Sequence, residues 1–232
     1  MLGTVVNTIA IIIGTLIGIL LRKGITERYK DTIMQGLGLA VGLIGINMAI
    51  KTANELVVIL SLVVGGLIGE TLEIDNFLNR LGQRLNQLVK SGEGDFVRAF
   101  VSTSLVYCVG AMAIMGSLQS GLTGEHKILF AKATLDGISA IVFASTMGIG
   151  VLFSALSVFV YQGAITMLAG GVKVLLTDAV IREMTATGGL LIIGVASNIL
   201  GIKQFKVANL LPAVFVAIAF ASLAARWFTT VN

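Results

Sequence analysis

The feature that most constrains this chain is a succession of apolar stretches of membrane-spanning length, parted by short charged segments. About 20 apolar residues cross the hydrocarbon core of a bilayer as a helix. By that measure spans are expected near 3–21, 33–50, 55–72, 99–119, 136–152, 154–172, 187–202 and 207–226. The stretch 136–172 carries no charge after Asp136; it is too long for one helix and just enough for two joined by a tight turn near Phe153 and Ser154. If one half is re-entrant, seven spans remain. The residues are 56% apolar and 12% charged, against roughly 25% charged in an ordinary soluble domain. The expected fold class is therefore all-α: a polytopic membrane helix bundle of seven to eight transmembrane helices with candidate broken or re-entrant segments. At this length no soluble domain fits beside it, so residues 1–232 read as one integral membrane domain.

The charges bound partners and orientation. A formal charge of +4, spread over scattered Lys and Arg, gives no nucleic-acid footprint; basic loops are what membrane topology demands. With an external N-terminus and eight spans, the inner loops receive Arg22, Lys23, Arg28, Lys30, Arg80, Arg84, Lys90, Arg98, Lys203 and Lys206, ten of the 16 basic residues. No basic n-region or small-residue cleavage site precedes the first apolar run, so residues 3–21 read as a retained span. Cys108 is the single cysteine and lies in an apolar run, which leaves no disulfide framework; His126 falls in the polar loop GEHK. The segment 73–98 carries Phe77, Leu78, Leu81, Leu85 and Leu88 at three- and four-residue steps opposite Arg80, Arg84 and Lys90, a pattern for a helix lying on the membrane surface. The stretch 173–184 resembles it weakly.

An internal repeat has an offset of 149 to 151 residues: Gly14 matches Gly163, and the run ending at Asn47 matches the run ending at Asn198. Its candidate units are 3–72 and 154–226, with 99–152 between them. If five spans separate equivalent helices, the copies run in opposite senses, the inverted arrangement used by many alternating-access transporters.

The most unusual chemistry lies in residues 107–163, where small and amide residues break an apolar background. Gly110, Gly116, Gly121, Gly137, Gly148 and Gly150 sit in lipid-compatible segments, where glycine lets helices touch or lets one break. Asp136, four residues after Lys132, must be solvated, paired with a cation or ion-bound, or else cap a helix from the interface. Around it stand intramembrane polar residues: Asn7, Asn47, Gln119, Ser139, Ser145, Thr146, Tyr161, Gln162, Thr187 and Asn198. Amides and hydroxyls replace water around an ion or a polar solute. They also hydrogen-bond across helices, which would make them glue for the bundle. The candidate substrate- or ion-binding set is Asp136, Gln119, Ser139, Tyr161, Gln162, Asn198 and Asn47. Glu70, Glu73 and Asp75 mark either a cation vestibule or a solvated helix exit.

HExxH, GxSxG and GxxxxGK[ST] are all missing from the sequence, so no catalytic residue, cofactor or metal site is assigned and an enzyme is not expected. The run GTVVNTIAIIIGTLIG from Gly3 to Gly18, the central CVGAMAIMGSLQSGL, KATLDGISA with STMGIG after it, and YQG together resemble the bacterial YdfK/YqgA family, domain of unknown function 554. The resemblance covers almost the whole chain and implies a multi-pass fold in the bacterial inner membrane; it brings no substrate. The expectation is a small secondary transporter or channel-like permease for an ion or small polar solute. The alternative is a non-transporting membrane scaffold, assembly factor or sensor. The lipid bilayer is the expected partner, with homo-oligomerisation open and no nucleic acid.

Overall fold

The computed structural model describes residues 1–22, 24, 26–89, 96–172 and 176–231. Lys23, Lys90 and the start of the 173–184 stretch lie outside the described residues. The described residues form only helices and turns: α1 (Leu2–Arg22), α2 (Glu27–Ala49), α3 (Glu55–Thr71), α4 (Ile74–Val89), α5 (Phe96–Cys108), α6 (Ala111–Leu122), α7 (Lys127–Met147), a 3₁₀ turn (Ile149–Phe153), α8 (Ser154–Met167), α9 (Ala169–Val172), α10 (Asp178–Leu200), a 3₁₀ turn (Val207–Leu210) and α11 (Pro212–Val231). Six helical segments are long and apolar enough to cross a membrane, and up to eight if the bent pairs α3 with α4 and α5 with α6 each count as one span. The fold is an all-helical bundle of membrane-spanning type.

The helices are built inside out relative to a soluble bundle. On α1 the buried face is Gly3, Thr4, Asn7, Ile11, Gly14, Thr15 and Gly18, while Leu2, Val5, Ile9, Ile13, Leu16, Ile17, Leu20 and Leu21 face outward. On α3 the buried residues are Val57, Val58, Ser61, Gly65 and Gly69, with Leu56, Ile59, Leu60, Val63, Leu67 and Ile68 exposed. In water that arrangement would forfeit the hydrophobic driving force. In lipid, where tails are as apolar as leucine, small residues at the interface gain close backbone approach and large aliphatic ones go to the lipid side.

The chain forms two compact units. The first comprises Met1–Leu37, Leu78–Cys108 and Met112–Gly170. Here α1 and α7 run parallel in close contact: Gly3 lies against Leu129, Gly14 against Gly137 and Ala140, and Gly18 against Ile141 and Ala144. A Cβ at Gly14 would land on the Gly137 carbonyl oxygen, and one at Gly18 on that of Ile141. Also parallel, α5 and α6 follow the chain from Gly150 to α9. Gly150 meets Phe96 and Ala99, the Ser104 hydroxyl bonds that of Ser157 at 3.0 Å, and Gly121 meets Thr166 and Ala169.

The second unit comprises Gly38–Phe77, Val109–Ala111 and Gly171–Asn232. In it α2 and α10 pack antiparallel, with Gly38 on Leu200, Gly42 on Ala196, and Gly45 on Gly189 and Ile193. Helix α3 likewise runs antiparallel to α11 and the 3₁₀ turn before it, with Gly65 on Ala213 of α11 and Gly69 on Asn209 of the turn. The Asn54 side chain accepts the Leu56 N–H to start α3, and left-handed Gly201 ends α10.

Three boundaries differ from those the sequence suggests. Helix α7 begins nine residues before the expected 136, since Lys127–Leu135 already belong to its helical run. Asp136 therefore stands in the third turn of α7 and caps nothing. The break after α7 falls at Gly148, whose φ of 83° and ψ of −156° only glycine adopts without strain, and not at Phe153–Ser154. Helix α10 likewise begins at Asp178 behind the Thr177 cap, nine residues before the expected 187, so Asp178–Met184 belong to a span and not to a surface helix. The helix expected within 73–98 is present as α4, which together with α3 also qualifies as one bent span. The expected 99–119 span is α5 and α6, bent by 59° at Val109–Gly110.

Candidate functional site

The first unit buries a Lys–Asp pair. Lys132 and Asp136 stand one turn apart on α7, 7% and 6% exposed. Lys132 Nζ lies 3.0 Å from Asp136 Oδ1 and 2.8 Å from Oδ2. Asn7 of α1, wholly buried, donates Nδ2–H to Asp136 Oδ2 at 3.0 Å. The close glycine seam between α1 and α7 lets this short amide reach across. A lone carboxylate at this depth would cost about 3 kcal/mol on insertion scales; pairing with Lys132 and a hydrogen bond from Asn7 offset that cost.

Two hydroxyls stand one turn further along, linked through Ser139 to the Asp136 backbone and not to its carboxylate. The Ser139 hydroxyl donates to the Asp136 carbonyl at 3.0 Å, and its oxygen is 3.3 Å from the buried Tyr107 hydroxyl on α5. The Tyr107 ring meets Phe143 edge-on at 6.3 Å.

The first unit also holds buried polar atoms with no hydrogen-bond partner among the described residues: Thr4 Oγ1, Asn7 Oδ1, Thr15 Oγ1, Ser117 Oγ, Gln119 Oε1, both amide atoms of Gln162, and Thr166 Oγ1. Gln162 is wholly buried on the face of α8 that carries Ala155, Val158, Gly163 and Thr166. Buried polar groups in folded proteins are normally paired, so each of these atoms is an exception.

The remaining sequence candidates lie elsewhere. Gln119, on α6, donates Nε2–H to Glu125 in the following turn at 2.7 Å, and its Oε1 has no partner among the described residues. Tyr161 is half-buried next to Gln162. Asn47 and Asn198 belong to the second unit: Asn47 is exposed on α2, and Asn198 bonds both backbone groups of Phe205, at 2.9 and 2.7 Å. Among the glycines, Gly110 and Gly148 fall at breaks, whereas Gly116, Gly121, Gly137 and Gly150 lie at close contacts. Glu70 is exposed and bonded by Lys206 and Asn209, each at 2.6 Å.

Two groups escaped the sequence reading as site residues. Lys132 was legible only as a neighbour of Asp136; its spacing of four is the signal that they share a helix face. Glu183 gave no signal, because it reads as part of a charged helix start. It is buried on α10 in the second unit, accepting from the Thr52 hydroxyl at 2.5 Å and the Ala53 N–H at 2.8 Å. A cavity of about 430 Å³ adjoins it, lined by Ala53, Leu56, Ala179, Arg182 and Ala221 among others.

Comparison with known proteins gives a family model described as "Protein of unknown function (DUF554)", matched over residues 2–222. The chain is 36% identical over 220 residues to the uncharacterized membrane protein YdfK of Bacillus subtilis (strain 168), covering 93% of each chain. It is 30% identical over 232 residues to the uncharacterized protein YqgA of Escherichia coli (strain K12), covering 98% of this chain and 99% of that one. No solved structure matches.

Proposed function

As this chain belongs to the family described as protein of unknown function DUF554 and is a membrane protein, we propose that it is a small secondary permease of the bacterial inner membrane, with the Lys132–Asp136 pair as its charge switch. The observation that carries this reading is the pair itself: two opposite charges on one turn of a spanning helix, bonded to each other and to Asn7. Ionisable groups inside spans are expensive and are associated with ion and proton pathways. A proton or cation arriving at Asp136 competes with Lys132 Nζ for the same two oxygens. Displacement frees the ammonium and changes the polar bridge between α1 and α7, which gives binding a way to bias the position of one helix against the other.

The repeat supports alternating access. The sequence pairs α2 with α10 and α3 with α11, and in the second unit each of these pairs packs antiparallel, as inverted copies do. The basic residues of the loops favour an external N-terminus. No enzymatic role enters this reading.

The Asn7–Asp136 bond also favours the second reading, a non-transporting scaffold in which polar groups only hold helices together. Purified protein in liposomes separates the two. With an imposed membrane potential and an internal pH dye, wild type is expected to carry protons faster than empty vesicles. The neutralised pair Lys132→Met/Asp136→Asn is expected to carry none while remaining monodisperse. Unchanged flux in the double variant contradicts the switch, and wild-type vesicles that pass neither H⁺, Na⁺ nor K⁺ favour the scaffold.

A further inference from the structure

Several buried hydroxyls of this protein are satisfied locally. Thr103 bonds the Ala99 carbonyl at 2.6 Å, Ser154 that of Val151 at 2.6 Å, and Ser61 that of Val57 at 2.6 Å, the usual solution for Ser and Thr in a helix. Thr4, Thr15, Ser117 and Thr166 of the first unit and Thr185 and Thr187 of the second do not do this, and neither amide atom of Gln162 has a partner among the described residues. Of these, Thr4, Ser117, Gln162 and Thr166 are on three different helices of the first unit, and the packing contacts bring them to one level, whereas Thr15 stands three turns further along α1. Met1 touches the Gly163 position, Gly3 and Gly116 both meet Leu129, and Gly121 meets the Thr166 backbone. Thr4, Ser117 and Gln162 are each one residue from such a contact. Lys132 follows Leu129 by three residues, roughly 4.5 Å along α7.

From this we infer that Gln162, Thr4, Ser117 and Thr166, with the free oxygen of Asn7, form a binding chamber for a small uncharged solute that both donates and accepts hydrogen bonds, of the size and kind of urea or glycerol. The inference deepens the permease reading and rests on it. The chemistry of the lining selects the class. A bare cation would suit Gln162 Oε1 and the hydroxyl oxygens but would face the two Nε2 hydrogens. An anion would suit those hydrogens and be repelled by the oxygens. The full charges at this place, Lys132 and Asp136, are bonded to each other and leave the chamber without a net charge to offer. A neutral solute with a carbonyl or hydroxyl oxygen and N–H or O–H groups satisfies donors and acceptors together. It lies beside the charge pair, so a change at Asp136 is felt by the group that holds it, since Asn7 belongs to both: Nδ2 on Asp136 and Oδ1 with the chamber.

Stopped-flow light scattering of proteoliposomes, shifted into urea or glycerol, tests this. Wild-type vesicles are expected to re-swell in at least one of the two faster than empty vesicles. Gln162→Met, of similar volume and without the amide, is expected to slow the protein-mediated part about tenfold, the effect of losing one to two good hydrogen bonds. If Gln162→Met is not monodisperse, Ser117→Ala/Thr166→Val serves the same purpose. Re-swelling no faster than in empty vesicles, or equal in variant and wild type, overturns the inference. Proton flux in the same vesicles separates the two failures: flux without urea or glycerol passage removes the chamber and leaves the permease, and the absence of both removes both.

Discussion

At the scale of the residue, Lys132 is the group whose loss should be felt most. Removing it leaves Asp136 with Asn7 as its remaining side-chain partner in a buried site. Breaking a buried pair from one side costs about 3–5 kcal/mol, whereas replacing both members is often near neutral. Lys132→Met is therefore expected to lower the melting temperature in detergent sharply, and Lys132→Met/Asp136→Asn to recover most of the loss. Equal destabilisation by both would show that the pair holds the fold through more than its charge. Glu183→Ala removes an acceptor for Thr52 and Ala53 and is expected to cost about 2 kcal/mol, the scale of hydrogen bonds to a charged group, read by the same melts. The sequence showed that a carboxylate stood in a span and that a lysine preceded it by one turn. It could not show Asn7 as the second partner, because that contact joins residues 129 positions apart. Glu183 was illegible for the same reason: its burial is made by the loop before α3, not by its neighbours in sequence.

At the scale of the element, the seam between α1 and α7 positions the site. Gly14→Leu drives a side chain into the Gly137 backbone, where overpacking by a methylene or two already costs about 1–3 kcal/mol, and backbone cannot give way. The variant is expected to lose monodispersity on gel filtration, while Ile13→Ala, on the outward face of the same helix, is expected to leave it intact. The glycine pattern was readable as close packing or breakage, but which glycine does which was not. Gly148 and Gly110 sit where a helix stops, and Gly116, Gly121, Gly137 and Gly150 sit where another chain segment presses. Hydropathy placed the middles of the spans well and their starts poorly at α7 and α10, since Lys127, Lys132, Asp178 and Glu183 are helical yet charged.

At the scale of the whole molecule, an eight-span reading with an external N-terminus also puts the C-terminus outside. An alkaline phosphatase fused after Asn232 is then expected to be active, and a fluorescent protein there to stay dark; the reverse pattern means seven spans. Away from the spans, the Glu70 hydrogen bond holds the Lys206 ammonium above its ordinary value. That residue stays charged through the neutral range, so any pH dependence of flux between about 5 and 9 does not come from it. The account as a whole rests on the polar interior of the first unit being wet. Its most direct test is thiol accessibility in intact proteoliposomes on a Cys108→Ser background. Ser139→Cys, beside Asp136 and Tyr107, is expected to react with a small water-borne methanethiosulfonate far faster than Ile138→Cys on the lipid-facing side. A Ser139→Cys protein that folds and stays unreactive would contradict it.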